Sequence, residues 1–449
     1  MPPGSFGRSG ENFRALIIAY SESLNFLMDW STERIAVRRI MIVGAGQSGL
    51  LLALGLREHG YDVTIAAEKD ADTVRNGPML SCQVVFAPGL ALERELGVDF
   101  WRDQVTPTAE VSFTAAGAPG DQEPAIAWSA ALRKPGAGVD QRLKVAAWLE
   151  EFGRRGGQIR YERATPGDID EFTREFDLVL VAAGRGEQFN QLFPVNAALS
   201  PYREPRRFLA PIYVRLPDRE PLAPSVRLAM GPAGEIGLIA ALTSQGPALG
   251  IGMFCVPGGP MDVWADVRDT EQHFELAREL IRTHFPWRAE VLEHAEPAGP
   301  LASLRGRITP VVRHPVGTVP SGARVLALGD TAVTNDPLAG QGANMAAHAA
   351  RSYRDAIVAH GDRVFDEEFM RSAFARYWAL AEHATRFSND LLMPPPEHLV
   401  ITLKTAESVP EVASRFAGVF ENPADYTGWL TDEAEAMRYL DQAAARVQF

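Results

Sequence analysis

Cysteine is scarce: the chain has two, Cys82 and Cys255, far apart and in no CxxC pair. That excludes a disulfide framework and a zinc ribbon and leaves two reduced thiols as the expectation. Basic residues are outnumbered, 44 Lys and Arg against 57 Asp and Glu, for a formal net charge of −13. Such a chain lacks the electrostatic footprint for nucleic acid or an anionic membrane surface. No apolar run approaches the roughly 20 residues of a membrane-spanning helix. The nine histidines include no HExxH and no i,i+4 pair, so no metal site is expected. A nucleophile elbow for Ser–His–Asp chemistry is missing too, as are fixed-period repeats. Residues 1–37 hold one short apolar stretch, Ala15 to Ala19, preceded by acidic Glu11. It is short for a signal h-region. These residues are read as an N-terminal extension with a helix over 11–30, and the protein as cytoplasmic.

What is present is ordinary globular material: 449 residues, 46% hydrophobic and 22% charged. Arg39 to Val43 is a β-branched run that reads as a buried parallel strand. Gln47 to His59 reads as a helix, apolar on most sides and stopped by Gly60. Tyr61 to Ala67 is a second strand. Between the first strand and the helix lies Gly44-Ala45-Gly46-Gln47-Ser48-Gly49. Gly44 permits the tight turn, Gly46 lets backbone approach a pyrophosphate, and Gly49 lets helix pack on strand. Free N–H groups at the helix start, with Gln47 and Ser48, then face the anion. Glu68, at the end of the second strand, suits a ribose hydroxyl.

Far downstream, Arg324 to Leu328 is another buried strand, followed by Gly329-Asp330. A turn follows with Asp336-Pro337-Leu338-Ala339-Gly340-Gln341-Gly342-Ala343-Asn344, opening a small-residue helix over 340–359. A carboxylate at a strand end, Asp330, suits a ribityl or ribose hydroxyl. Gly340 and Gly342 expose backbone N–H groups at a positive helix end. Between these segments, Leu143 to Gly153 reads as a helix and Asp177 to Val181 as a buried strand. Alternating runs over 207–255 suggest antiparallel strands. Helices are expected over 363–392 and 405–446, around Pro394-Pro395-Pro396.

The two glycine-rich segments together resemble the FAD-dependent aromatic hydroxylase fold. Within it the chain resembles the oxygenase component of styrene and indole monooxygenases, from about residue 38 to beyond 400. Asp140-Gln141-Arg142-Leu143, the run 177–184, Ser200-Pro201-Tyr202, Leu304-Arg305-Gly306-Arg307 and Ala384-Thr385-Arg386-Phe387 carry the same resemblance. It implies an α/β fold: a discontinuous Rossmann-like FAD-binding domain (38–86, 137–190 and 318–362), an antiparallel β-sheet substrate-binding domain (87–136 and 191–317) and a C-terminal helical region (363–449). Where single-component hydroxylases carry an Asp-Gly pair, this chain has Val181-Ala182-Ala183-Gly184-Arg185-Gly186. With no second nicotinamide module, the resemblance implies a two-component system. A separate NADH:flavin reductase supplies FADH2, which reacts with O2 to a C4a-hydroperoxide that epoxidises an aromatic alkene. No Trp-x-Trp pair occurs among the eight tryptophans, which lowers a halogenase reading. A self-sufficient NAD(P)H-dependent hydroxylase and a non-catalytic binding protein of the same fold are the alternatives.

By resemblance, the segment Met79 to Phe86 lies along the flavin and meets substrate. Styrene-type members carry Asn at the position of Ser81 and Val at that of Gln83, whereas indole-type members carry Ser and Gln. The pair tilts the expectation to indole, with Val85 departing from the usual Met. Ser81, Gln83, Pro337 and Asn344 are the expected catalytic residues, with Ser81, Gln83 and Val85 against the substrate. Arg142 and Gly184 complete the expected cofactor set with Gly44, Gly46, Gln47, Ser48, Gly49, Glu68, Asp330, Pro337, Gly340, Gln341, Gly342, Ala343 and Asn344. Oligomeric state is expected to be monomer or homodimer.

Overall fold

Arg39–Val43 is a strand covered on both faces: Ile40, Met41 and Ile42 have no exposed surface. In this computed structural model, which describes residues 37–447 apart from 185, 190 and 218–221, that strand is central to a six-stranded sheet. The order is Val316–Thr318, Arg324–Ala327, Leu178–Val181, Arg39–Val43, Asp62–Ala67, Gln158–Tyr161. All pairings are parallel except that of the short edge strand Val316–Thr318. The chain starts at the centre, winds outward one way and then the other, which is the doubly wound arrangement. Its direction reverses between Arg39–Val43 and Leu178–Val181, so a crevice opens at the carboxyl ends of those two strands. Helix Gln47–Glu58 packs from Leu50 to Leu56 against this sheet, and Gly60, at φ 83°, turns the chain after it. The helix expected over 11–30 lies outside the described residues.

The second sheet has nine strands. Ser225–Gly231, Gly234–Thr243 and Gly246–Cys255 form the expected antiparallel meander. One junction differs: Pro107–Ala115 runs parallel to Ser225–Gly231. No short hairpin joins those two strands, because the chain passes through the other domain between them, so turn geometry does not dictate their direction. Helix Thr270–His284 packs on one face of the sheet through Phe274, Ala277 and Ile281. The opposite face meets the C-terminal helices, with Phe113, Trp128, Phe416 and Trp429 in one core.

Two elements pack across the boundaries expected from sequence. Helix Ala87–Glu95, assigned to the β-sheet domain, and the turn after it bury Leu92, Leu96 and Val98 in the Rossmann core. Its Glu93 also pairs with Lys144 of helix Gln141–Arg154 at 2.6 Å, both side chains fully buried. The tail is likewise shared. The first turns of helix Glu367–Asp390 pack on the Rossmann domain through Phe369, Ala373 and Tyr377, whereas Phe387 reaches the sheet core. Beyond it the chain forms Glu397–Thr405, Pro410–Gly418, Pro423–Trp429 and Glu433–Val447, since Pro410 and Pro423 each start a new helix rather than continue one. Among the described residues no helix is long and apolar enough to cross a membrane.

Candidate flavin site

Three loops meet at the carboxyl ends of the central strands. Gly44 adopts φ 113°, where a side chain is strained, and a methyl on it would overlap the Ala182 carbonyl. A methyl on Gly49 would overlap the Gly44 carbonyl, and one on Gly329 would overlap the Ser48 hydroxyl. Thr331 Oγ1 donates to the Gly184 carbonyl at 3.1 Å. The two glycine-rich segments, hundreds of residues apart, are thus in contact, with Gly184 between them.

Other glycines here face open space. A methyl on Gly46, Gly184 or Gly342 would meet no atom within 4 Å. Helices Gln47–Glu58 and Gly342–His360 both begin without a side-chain cap. Elsewhere Asp70, Asp140, Thr165, Asp269 and Asp366 each cap a helix by accepting a backbone N–H, whereas Ala87–Glu95, Glu397–Thr405, Pro410–Gly418 and Pro423–Trp429 also start without a side-chain cap. Uncapped N–H groups beside unfilled space are what a polyanionic cofactor needs. Glu68 and Asp330 are both exposed, each just past the carboxyl end of its strand. This backbone cradle fits FAD: the Gly44–Gly49 loop for pyrophosphate, Glu68 and Asp330 for hydroxyls, and the Gly340–Asn344 turn for the ring edge.

The segment 79–86 runs through the middle as mostly irregular chain, pinned at several points. Gln83 and Gln47 exchange amide hydrogen bonds, the shorter 2.8 Å, and Gln83 Nε2 also reaches the Val139 carbonyl. Ser81 Oγ donates to Gln141 Oε1 at 2.7 Å, and the Tyr213 hydroxyl donates to the Ser81 carbonyl. Asn344 grips the end: its Oδ1 accepts the Phe86 N–H at 2.8 Å, and its Nδ2 donates to the Val84 and Gly340 carbonyls. Gln47, Ser81, Gln83 and Asn344 therefore share one polar neighbourhood. Beside it lies an apolar patch of small side chains, Ala241, Ala248, Ala298 and Ala302, with Met79 and Tyr213.

Other expected site residues sit differently. Val85 packs on Leu90 and Ala137, in a buried cluster separate from the alanine patch. Arg142 is committed to Asp140 at 2.6 Å and to the Gly77 and Leu301 carbonyls. With those acceptors engaged, its guanidinium ties three segments together instead of standing open to phosphate. Gln341 donates to the Ala339 and Phe420 carbonyls and fixes the tail. Pro337 opens the turn Pro337–Ala339, which Gly340 closes at φ 66°.

Residues not singled out from sequence also matter. Asp336 is fully buried; one oxygen accepts the Leu338 N–H and the other has no partner. Burial pushes its carboxyl up to about 6, against the Leu338 N–H and the nearby Arg207, which act downward. Gln141 and Tyr213 hold Ser81 from two sides. Asp336 and Gln141 stand within motifs visible in the sequence, but the burial of the one and the Ser81 partner of the other depend on remote segments. Both cysteines are free, and burial pushes both thiols up to about 12. Among the described residues no group of three His, Cys, Asp or Glu could hold a metal.

Comparison with known proteins agrees with this geometry. Residues 184–290 match the family described as "Styrene monooxygenase A putative substrate binding domain". Styrene monooxygenase StyA of Pseudomonas fluorescens is 29% identical over 398 residues, 86% of this chain and 93% of the relative. StyA of a Pseudomonas species is 28% identical over 401 residues, with the same coverage of both chains. Among solved structures, a flavoprotein/dehydrogenase from Cytophaga hutchinsonii superposes with TM-score 0.63 at 14% identity, covering 86% of this chain and 92% of that one. The flavin-dependent halogenase CmlS gives 0.60 at 17%, covering 92% and 77%. A variant of 2-methyl-3-hydroxypyridine-5-carboxylic acid oxygenase gives 0.56 at 14%, covering 84% and 93%. The fold is that of the flavin-dependent aromatic hydroxylases and halogenases, and the sequence relatives support the styrene monooxygenase family over most of the chain.

Proposed function

We propose that this chain is an FAD-dependent monooxygenase, the oxygenase of a two-component system, which takes reduced FAD from a separate reductase and epoxidises an aromatic alkene, with indole preferred to styrene. The observation that carries the reading is the cradle: two uncapped helix starts and unfilled glycine positions converge beside the segment 79–86. The styrene monooxygenase relatives, which cover 86% of this chain, support it. Reduced FAD, when bound, supplies the activation of O2.

The chain's own task is placement and exclusion of water. Asn344 ties segment 79–86 to the Gly340–Asn344 turn, so substrate groups and ring edge keep one spacing. The buried alanine cluster packs on Met79 of that segment and gives it an apolar backing. Ser81 gives its proton to Gln141, leaving oxygen lone pairs for a heteroaromatic N–H. That favours indole over a hydrocarbon, since an N–H buried without an acceptor is costly.

Expression with an unrelated flavin reductase, NADH and FAD, followed by indole, tests the reading. Blue indigo is expected. Peroxide alone, with indole and styrene both untouched, defeats the substrate assignment. Rapid bleaching of bound FAD by NADPH with no reductase present defeats the two-component assignment. The pair Ser81→Asn with Gln83→Val is expected to move the indole-to-styrene rate ratio toward styrene by roughly tenfold, about one hydrogen bond's worth. An unchanged ratio removes these residues from the specificity argument.

A further inference from the structure

The face of the nine-stranded sheet turned away from the flavin segments carries two arginines with no counter-charge. Strand register sets Arg227 opposite Ser112. Arg288, in the turn Pro286–Arg288 that follows helix Thr270–His284, reaches the same spot. Its Nη2 lies 3.3 Å from both Ser112 Oγ and Thr114 Oγ1. Trp287 Nε1 donates to Thr114 Oγ1 at 3.1 Å, while that hydroxyl donates to the Leu228 carbonyl at 3.0 Å. The Nε atoms of Arg227 and Arg288 are both buried and have no partner. Among the described residues neither guanidinium has a carboxylate partner, and Ser112's own proton has no acceptor.

The contrast within the same sheet is informative. Arg207, buried where Arg227 and Arg288 are half-buried, is bonded through both Nε and Nη2 to Glu235, the pair 2.7 Å apart. A protein with excess acid left the Arg227–Arg288 pair without any. Burial, and then the charge of Arg227, lower Arg288 to about 10, and burial lowers Arg227. Two like charges with orphaned donors are costly unless something negative joins them.

We propose that Arg227, Arg288 and Ser112 form an oxyanion-binding site, separate from the flavin cradle, that takes a dianionic phosphate group. Two guanidiniums supply the charge to neutralise a dianion and N–H donors that suit its oxygens. Ser112 adds a hydroxyl donor and Trp287 walls the site. The group is either inorganic phosphate or the phosphate of a small monoester, which share this chemistry.

The test uses the full chain without added flavin. Inorganic phosphate and glycerol phosphate are titrated calorimetrically and by thermal unfolding, against chloride at equal ionic strength. Saturable binding at one site per chain is expected, with the tighter of the two ligands identifying the source. Arg227→Gln and Arg288→Gln are each expected to weaken it about tenfold to a hundredfold. In phosphate-free buffer Arg227→Gln should unfold no earlier than the parent, since it removes an unbalanced charge; this separates loss of the site from loss of the fold. Phosphate that acts no better than chloride overturns the proposal. So does binding that survives both glutamine variants but disappears in Gly46→Val, which would put the anion at the dinucleotide loop.

Discussion

Asp336 has no room to ionise comfortably. Its usual value is 3.8, and in the fold it stands at about 6. The folded protein therefore holds this proton more tightly than the unfolded chain does. That stabilisation is present below about pH 4 and is lost as pH rises through 6. Asp336→Asn keeps an acceptor for the Leu338 N–H without the charge. Denaturant unfolding should show the variant gaining on the parent between pH 4 and 6, by of order 3 kcal/mol at most. A constant difference across that range means that Asp336 is not titrating there. Gly46 gives a second residue-scale prediction. Its backbone, φ −81° and ψ 179°, is ordinary extended chain, and a side chain there has space. Gly46→Val should leave stability within about 0.5 kcal/mol yet weaken FAD binding roughly tenfold or more, read by flavin fluorescence. Gly49→Ala should instead cost stability, because the added methyl meets the Gly44 carbonyl. Unaltered FAD affinity in Gly46→Val would empty the cradle argument.

Local elements were legible and their partners were not. Arg39–Val43, Gln47–Glu58 and Arg324–Ala327 match the sequence reading within a residue or two, because apolar runs and glycine punctuation are local signals. The glycine loop was readable for the same reason. The parallel pairing of Pro107–Ala115 with Ser225–Gly231 was not, since nothing near either strand specifies it. Arg142 looked available for phosphate because its claim on the Gly77 and Leu301 carbonyls depends on segments far away in sequence. Arg227 and Arg288 were invisible for the same cause. The buried pair Lys144–Glu93 belongs to this scale too, joining helix Gln141–Arg154 to Ala87–Glu95. Lys144→Met alone should destabilise by about 3–5 kcal/mol by stranding a carboxylate whose proton affinity burial already raises. Adding Glu93→Leu should recover most of that loss in chemical denaturation. Equal losses in single and double variants would mean that packing, not charge, sets the cost.

At the scale of the whole molecule, the C-terminal helices complete a core begun near residue 110. Trp128 stacks on Phe113 at 5.2 Å between centroids and meets the edge of Phe416 at 5.6 Å. Phe416→Ala should cost roughly 3–5 kcal/mol. It should also expose the sheet face to an apolar dye before global unfolding. A loss under about 1 kcal/mol would show that the tail is only loosely attached.

That shared core also shapes how the protein comes into being. Strands Pro107–Ala115 and Ile126–Ala137 leave the ribosome long before Phe416 and Trp429 exist to cover them. At roughly 5–20 residues per second, Phe113 and Trp128 wait some tens of seconds unprotected. Pro107–Ala115 waits as well for its neighbour Ser225–Gly231. Newly made chains thus pass through a stage with a bare aromatic sheet, and yield in a heterologous host should respond to slower growth temperature and to chaperone supply.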